Sequence, residues 1–161
     1  MRTTLKPAIF VGCVLVGVLT LGSGAAFAAA HFMSSAATVD NNGALVVSWD
    51  ETGLGNGDIN YAVTADATAT YACINGGGNH PKAANKTDVN GDVSNGGSFA
   101  SKNGRVRASL TAGPLGPGSF SCPGGQRLVL AGVSYTNIVL TDTTNGVAVN
   151  LGSRSRTFFA V

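Results

Sequence analysis

The chain has 161 residues, 44% of them apolar, 11% charged and 23 of them glycine. That apolar share drives collapse and excludes an intrinsically disordered chain, although charge is low and glycine stands at about twice its usual share. The formal charge of +2 belongs to Arg2 and Lys6: without residues 1–30, Lys+Arg falls from 10 to 8 and equals the 8 Asp+Glu. A near-neutral remainder lacks the long-range basic footprint of a nucleic-acid binder.

Residues 1–30 read as a secretory signal. Arg2 and Lys6 form a positive start, Ala8 to Leu21 is an uncharged apolar run, and Ala25 to Ala30 supplies small residues for a peptidase. Cleavage is expected after Ala28 or after Ala30. The competing reading, an uncleaved anchor over Ala8 to Ala30, is disfavoured because small residues follow the apolar run so closely. A lipoprotein is disfavoured because Cys13 lies inside that run. The expected location is therefore extracellular, with no stable membrane insertion after cleavage and no nucleic-acid partner. Residues 31–161 are expected to form one domain.

Along that domain the dominant period is two. Leu45, Val47 and Trp49 recur at every second position, and from Ile59 to Cys73 every odd position is apolar while Asn60, Thr64, Asp66, Thr68 and Thr70 fall between. Such alternation is that of a half-buried strand. The second run is long for a small sandwich, so a bulge or a sheet-switching bend is expected near Asp66 to Thr68. Val106, Ala108 and Leu110 alternate with outward Arg105, Arg107 and Ser109. Leu128 to Leu140 is more continuously apolar, as a central strand or strand pair would be, and Val147 to Leu151 and Thr157 to Val161 complete the set.

Asn-Gly occurs seven times, at Asn42, Asn56, Asn75, Asn90, Asn95, Asn103 and Asn145, each with its following glycine. This dipeptide tolerates the positive φ of tight hairpins. With no sustained apolar 3.6 period after residue 30, the expected fold is all-β: an immunoglobulin-like antiparallel sandwich of about seven to nine strands, preceded by the helical signal.

Loss of Cys13 with the signal leaves Cys73 and Cys122, and an even pair in an oxidising compartment predicts one disulfide. Each cysteine adjoins or lies in a segment without strand pattern, Ile74 to Asp88 and Thr111 to Gln126. Joining them would give two long loops rigid support, which makes Asn79, His80, Lys82, Asn85 and Lys86 the candidate binding loop. The plainer reading of that loop is a solvated connection whose glycines let the chain turn.

A second constellation depends on the cleavage site. A cut after Ala30 would make His31 the N-terminus, offering amine and imidazole nitrogens that, with His80, suit Cu(II). In that one position the chain resembles copper-binding periplasmic sandwiches and copper polysaccharide monooxygenases, without their surrounding motifs. Copper is the alternative; the leading expectation is no cofactor.

Other clusters are weaker. Asp88 to Asp92 begins like a calcium loop, but Val93 replaces the glycine and Phe99 the glutamate such a loop needs, so a hairpin turn is expected there. Asp50, Glu51 and Asp58 form a loose acidic group able to hold a cation weakly. Arg105 and Arg107 with Lys102 could touch an anionic cell-wall polymer, against the plainer reading of a solvated strand face. No Gly-x-Ser-x-Gly, phosphate loop or His-Glu-x-x-His is present, so no catalytic residues are assigned and an enzyme is disfavoured.

The stretches Ala-Ala-His-Phe at 29–32, Leu-Val-Val-Ser-Trp, Tyr-Ala-Cys-Ile-Asn-Gly-Gly-Gly-Asn-His-Pro-Lys-Ala-Ala-Asn-Lys, and Ser-Tyr-Thr-Asn-Ile-Val-Leu-Thr-Asp-Thr-Thr-Asn-Gly together resemble a group of small secreted actinomycete proteins of uncharacterised function. The resemblance implies secretion and a compact disulfide-closed fold, and no activity. The leading expectation is a secreted, non-enzymatic module binding an extracellular ligand or cell-surface component; the others are a copper protein using His31 and His80, and a passive coat or matrix component.

Overall fold

The computed structural model describes residues 29–75 and 85–161. The expected signal, up to Ala28, and Asn79, His80 and Lys82 of the expected loop lie outside the described residues. Seven strands are present: β1 (His31–Val39), β2 (Leu45–Thr52), β3 (Gly57–Asn75), β4 (Lys86–Ser101), β5 (Arg105–Ala112), β6 (Gln126–Asp142) and β7 (Val147–Thr157). They form two antiparallel sheets, β1-β2-β5 and β4-β3-β6-β7, and no helix occurs among the described residues. The all-β expectation is met at this level, a sandwich of two sheets around one core.

The core follows from the alternation. Leu45, Val47 and Trp49 of β2 and Ile59, Tyr61, Val63, Ala65, Ala67 and Ala69 of β3 are buried, as are Val133, Tyr135, Ile138 and Leu140 of β6. Facing side chains of the two sheets meet in an aromatic cluster: Trp49 and Tyr61 have ring centroids 4.6 Å apart, and Phe99 meets Trp49 edge-on at 5.4 Å. Edge-to-face pairs of this kind add about 0.5–1.5 kcal/mol each beyond their buried area.

Of the two alternatives expected near Asp66 to Thr68, the bulge is present in the β3–β6 pairing and the sheet-switching bend is not, and a second local expectation is corrected. The long run on β3 neither breaks nor switches sheets; it is one 19-residue strand. Its partner β6 accommodates the twist instead. Between Thr64↔Val139 and Asp66↔Thr136, two β6 residues, Asn137 and Ile138, oppose one on β3, and Asn137 has φ 51°. That is a β-bulge, which adds twist without cutting the ladder. The Asn137 amide donates to Asp66 at 2.6 Å, holding the bulge against β3. Second, Asp88 to Asp92 is no hairpin turn: it lies inside β4, with Asn90 opposite Thr68 and Asp92 opposite Asp66.

The open edges of the smaller sheet are covered by side chains from the larger one. Arg154 donates to the Ala37 carbonyl at 2.7 Å and Arg156 to that of Val39 at 3.2 Å, while Asn95 donates to Thr111 at 2.7 Å. Occupied edge carbonyls are poor templates for strand addition by another chain.

Candidate functional site

Cys73 sits near the end of β3 with 1% exposure, because both faces of the sheet are covered there. It is bonded to Cys122, with Cα atoms 5.5 Å apart. The predicted disulfide is therefore present, and it ties the irregular β5–β6 connection, residues 113–125, to the middle of the larger sheet.

Two tyrosines add to this anchoring. The Tyr71 hydroxyl donates to the Leu115 carbonyl at 2.8 Å, in the same connection. Tyr135 crosses between the sheets and donates to the Gly43 carbonyl at 2.6 Å, in the β1–β2 turn. Burial pushes the Tyr135 hydroxyl up to about 12, so it remains a donor throughout the ordinary pH range. Gly43 itself has φ +87°, and a Cβ there would stand 2.5 Å from Leu130. Only glycine fits this turn against β6.

The β1–β2 turn, the β5–β6 connection and the chain after β7 thus gather at one end of the sandwich. Between the β1–β2 turn, β6 and the chain after β7 opens a mainly apolar cleft of about 430 Å³, lined by Asn41, Asn42, Val129, Leu130, Phe158 and Phe159. The backbone amides of Phe158 and Phe159 both donate to the Ala131 carbonyl, at 2.8 and 3.1 Å, which fixes this segment against β6. The Arg156 guanidinium lies 5.2 Å from the centre of the Phe158 ring, a cation–π contact. Beside the cleft a more polar hollow of about 350 Å³ includes Thr70, Lys86 and Asp88 among its walls. Fixed apolar walls with a few convergent amides are what a small-ligand or glycan site requires.

Of the sequence-predicted loop residues, the two that are described stand at this end. The Asn85 carbonyl accepts the Cys73 amide at 3.0 Å, and its side chain reaches Gln126 at 3.4 Å. Lys86 opens β4 opposite Ala72. His31 is elsewhere: it opens β1 opposite Thr52, exposed, with Nδ1 2.8 Å from the Ala29 carbonyl. It therefore stands at the far end of the sandwich from Asn75 and Asn85. Among the described residues no group of three or more His, Cys, Asp or Glu side chains is placed to hold a metal ion.

The acidic group Asp50, Glu51 and Asp58 is dispersed, because neighbours on a strand point to opposite faces. Asp50 faces outward, and Arg105 donates to both its oxygens, the Nε contact measuring 2.6 Å; Arg107 adds a third contact at 2.9 Å. Chiefly the Arg105 hydrogen bond, with help from Arg107, lowers the Asp50 carboxyl to about 2. Asp58 is exposed on β3.

Glu51 faces inward and is fully buried. Neither of its oxygens has a partner in hydrogen-bonding geometry among the protein atoms, and the same holds for the Tyr61 hydroxyl and the Trp49 indole nitrogen nearby. Burial, reinforced by the Asp142 carboxylate, raises the Glu51 carboxyl above its ordinary range; the Tyr61 hydroxyl and, more weakly, His31 act the other way. Asp142 is equally buried but satisfied: it accepts from the backbone amides of Thr144 and Asn145 at 2.8 and 2.9 Å and from the Asn145 side chain at 2.6 Å. Sequence reasoning missed Glu51 as a buried acid, although its parity on β2, in phase with Trp49, was the signal that could have found it.

Fold and site together define a disulfide-closed β-sandwich with one braced end. Comparison with known proteins finds no matching family model and no similar curated protein or solved structure.

Proposed function

We propose that the protein is an exported, non-enzymatic, immunoglobulin-like binding module that engages an extracellular ligand or cell-surface component through its disulfide-closed end. The observation that carries this reading is the bracing of irregular chain by three independent ties, the Cys73–Cys122 bond and the Tyr71 and Tyr135 hydroxyls. The Tyr135 tie holds the β1–β2 turn whose Asn41 and Asn42 form one wall of an apolar cleft. Ordering loops in advance lowers the entropy lost on binding, beyond what the same ties contribute to folding. The strand partition supports the immunoglobulin-like assignment: it departs from the ABED/CFG order of a constant domain in one strand, the fourth, which pairs with β3 rather than β5. The disulfide and the signal-like leader support export, as does the resemblance to small secreted actinomycete proteins.

The test is capture of solubilised cell-surface polymers on immobilised mature protein, compared with an Asn42→Ala/Val129→Asn variant. Capture should be lost in the variant while it still melts cooperatively within about 5 °C of the parent, Val129→Asn at a half-buried position of β6 costing about 1 kcal/mol. Equal capture by both proteins would refute the assignment of the surface.

A further inference from the structure

We propose that the seam between β4 and β5 is a second binding surface, which takes a carboxylate-bearing polysaccharide. It lies at the opposite end of β5 from the disulfide-tied connection and does not rest on the reading of that end.

Lys102, Arg105 and Arg107 line one cleft of about 420 Å³ whose other walls are Phe99, Ala100 and Val106. Arg105 and Arg107 flank the buried Val106, so both project from the outer face of β5, about 7 Å apart along the strand. Two carboxylates stand near these three cations. Asp50 makes the only ion pairs among the described residues, with Arg105 and Arg107. Asp58 lies opposite Ala100 on β3 and forms no ion pair with Lys102. Three cations against Asp50 and Asp58 thus leave this seam with a local excess of one positive charge in a chain whose charges balance after residue 30.

The ion pairs orient the guanidiniums rather than use them up. Asp50 takes the Nε and one terminal nitrogen of Arg105 but only the Nε of Arg107. Neither terminal nitrogen of Arg107 takes part in the Asp50 contact, and its side chain is 68% exposed against 16% for Asp50. A guanidinium fork with its stem already held matches the two oxygens of a carboxylate and loses little freedom on binding. The half-buried Phe99 and exposed Ala100, rather than the buried Val106, decide between classes of polyanion. They suit the C–H face of a pyranose ring that carries its carboxylate in the ring plane, whereas a polyol phosphate chain has no such face. A neutral glycan would leave Lys102 and the terminal nitrogens of Arg107 without an anionic partner, and three cations are too few for the long phosphate track of a nucleic acid.

Titration calorimetry of the oxidised mature protein with oligogalacturonate tests this. Binding that weakens with added salt is expected. The fully methyl-esterified oligomer should bind at least about tenfold more weakly, as should oligogalacturonate to a Lys102→Gln/Arg107→Gln variant. That variant keeps the Arg105–Asp50 pair, and an unchanged melting curve shows that it folds. No binding of oligogalacturonate, equal binding of its ester, tighter binding of polyglycerol phosphate, or an unaffected variant would each overturn the proposal. The Asn42→Ala/Val129→Asn protein should titrate like the parent, which separates failure here from failure of the disulfide-end reading.

Discussion

Replacing Cys73 by alanine and Cys122 by serine removes the crosslink while leaving a small apolar side chain at the buried position and a polar one at the half-exposed one. The two cysteines are 49 residues apart in sequence. On the chain-entropy model, opening a loop of that length releases roughly 14 cal/mol/K in the unfolded ensemble, about 4 kcal/mol at 25 °C. A domain of about 130 residues unfolds with an entropy near 0.27 kcal/mol/K, so the melting temperature should fall by about 15 °C. The far-ultraviolet spectrum should keep its strand signature, because Tyr71 and the β3–β6 ladder still hold the neighbouring chain. Urea denaturation with and without reductant gives the same quantity independently: the parent should lose it on reduction and the double variant should not respond. An unchanged midpoint in the variant, or two titratable thiols in the native oxidised protein, would refute the reasoning.

Two further outcomes follow from buried polar groups. The Glu51 carboxyl is raised in the folded protein, first by burial and then by Asp142. A raised acid contributes its stability in full below its unfolded value, near 4.5, and loses it as pH rises through the folded one. Glu51→Gln should therefore flatten the decline in stability as pH rises above 4.5 and leave the variant more stable than the parent at pH 7, an amide being able to donate to Asp142 and Tyr61 without carrying charge. Denaturation midpoints across that range check it, and a variant less stable than the parent at pH 7 would count against it. Tyr135→Phe leaves the Gly43 carbonyl without its buried donor and should cost about 1–3 kcal/mol. Gly43→Ala should cost more, because it adds both a strained φ and a clash with Leu130; a thermal melt that ranks the two the other way would contradict the packing described.

Strand by strand, the elements were largely legible. The odd positions from Ile59 to Tyr71 face the core as their alternation demanded, and Leu128 to Leu140 lies within the central strand β6. Asn42-Gly43, Asn56-Gly57, Asn103-Gly104 and Asn145-Gly146 fall between strands or at their ends, with positive φ at each glycine. Asn90-Gly91 and Asn95-Gly96 misled, since both pairs run straight through β4. Asn-Gly lowers the cost of a turn but does not require one, and an edge strand laid along the 19 residues of β3 is held by its ladder regardless of weak local preference.

The candidate site was legible only as a pair of cysteines beside two unpatterned segments. Nothing near Gly43 announces that Tyr135, 92 residues away, will bond its carbonyl, and nothing near Leu115 announces Tyr71, 44 residues away. Asn41 and Phe158 become neighbours only because the β1–β2 turn and the end of β7 close on the same part of β6.

From its sequence alone this protein was committed to strands, to the faces those strands bury and to joining Cys73 with Cys122, because side-chain parity and cysteine count are properties of short stretches and of composition. The tertiary structure decided which edges pair, that β6 rather than β3 carries the bulge, that Asp50 meets two arginines while Glu51 is enclosed without a partner, and which clefts open at either end. Those outcomes depend on elements far apart in the chain: hydrogen-bond partners, local dielectric and the charges around a carboxyl are set by whatever the fold brings within a few ångströms.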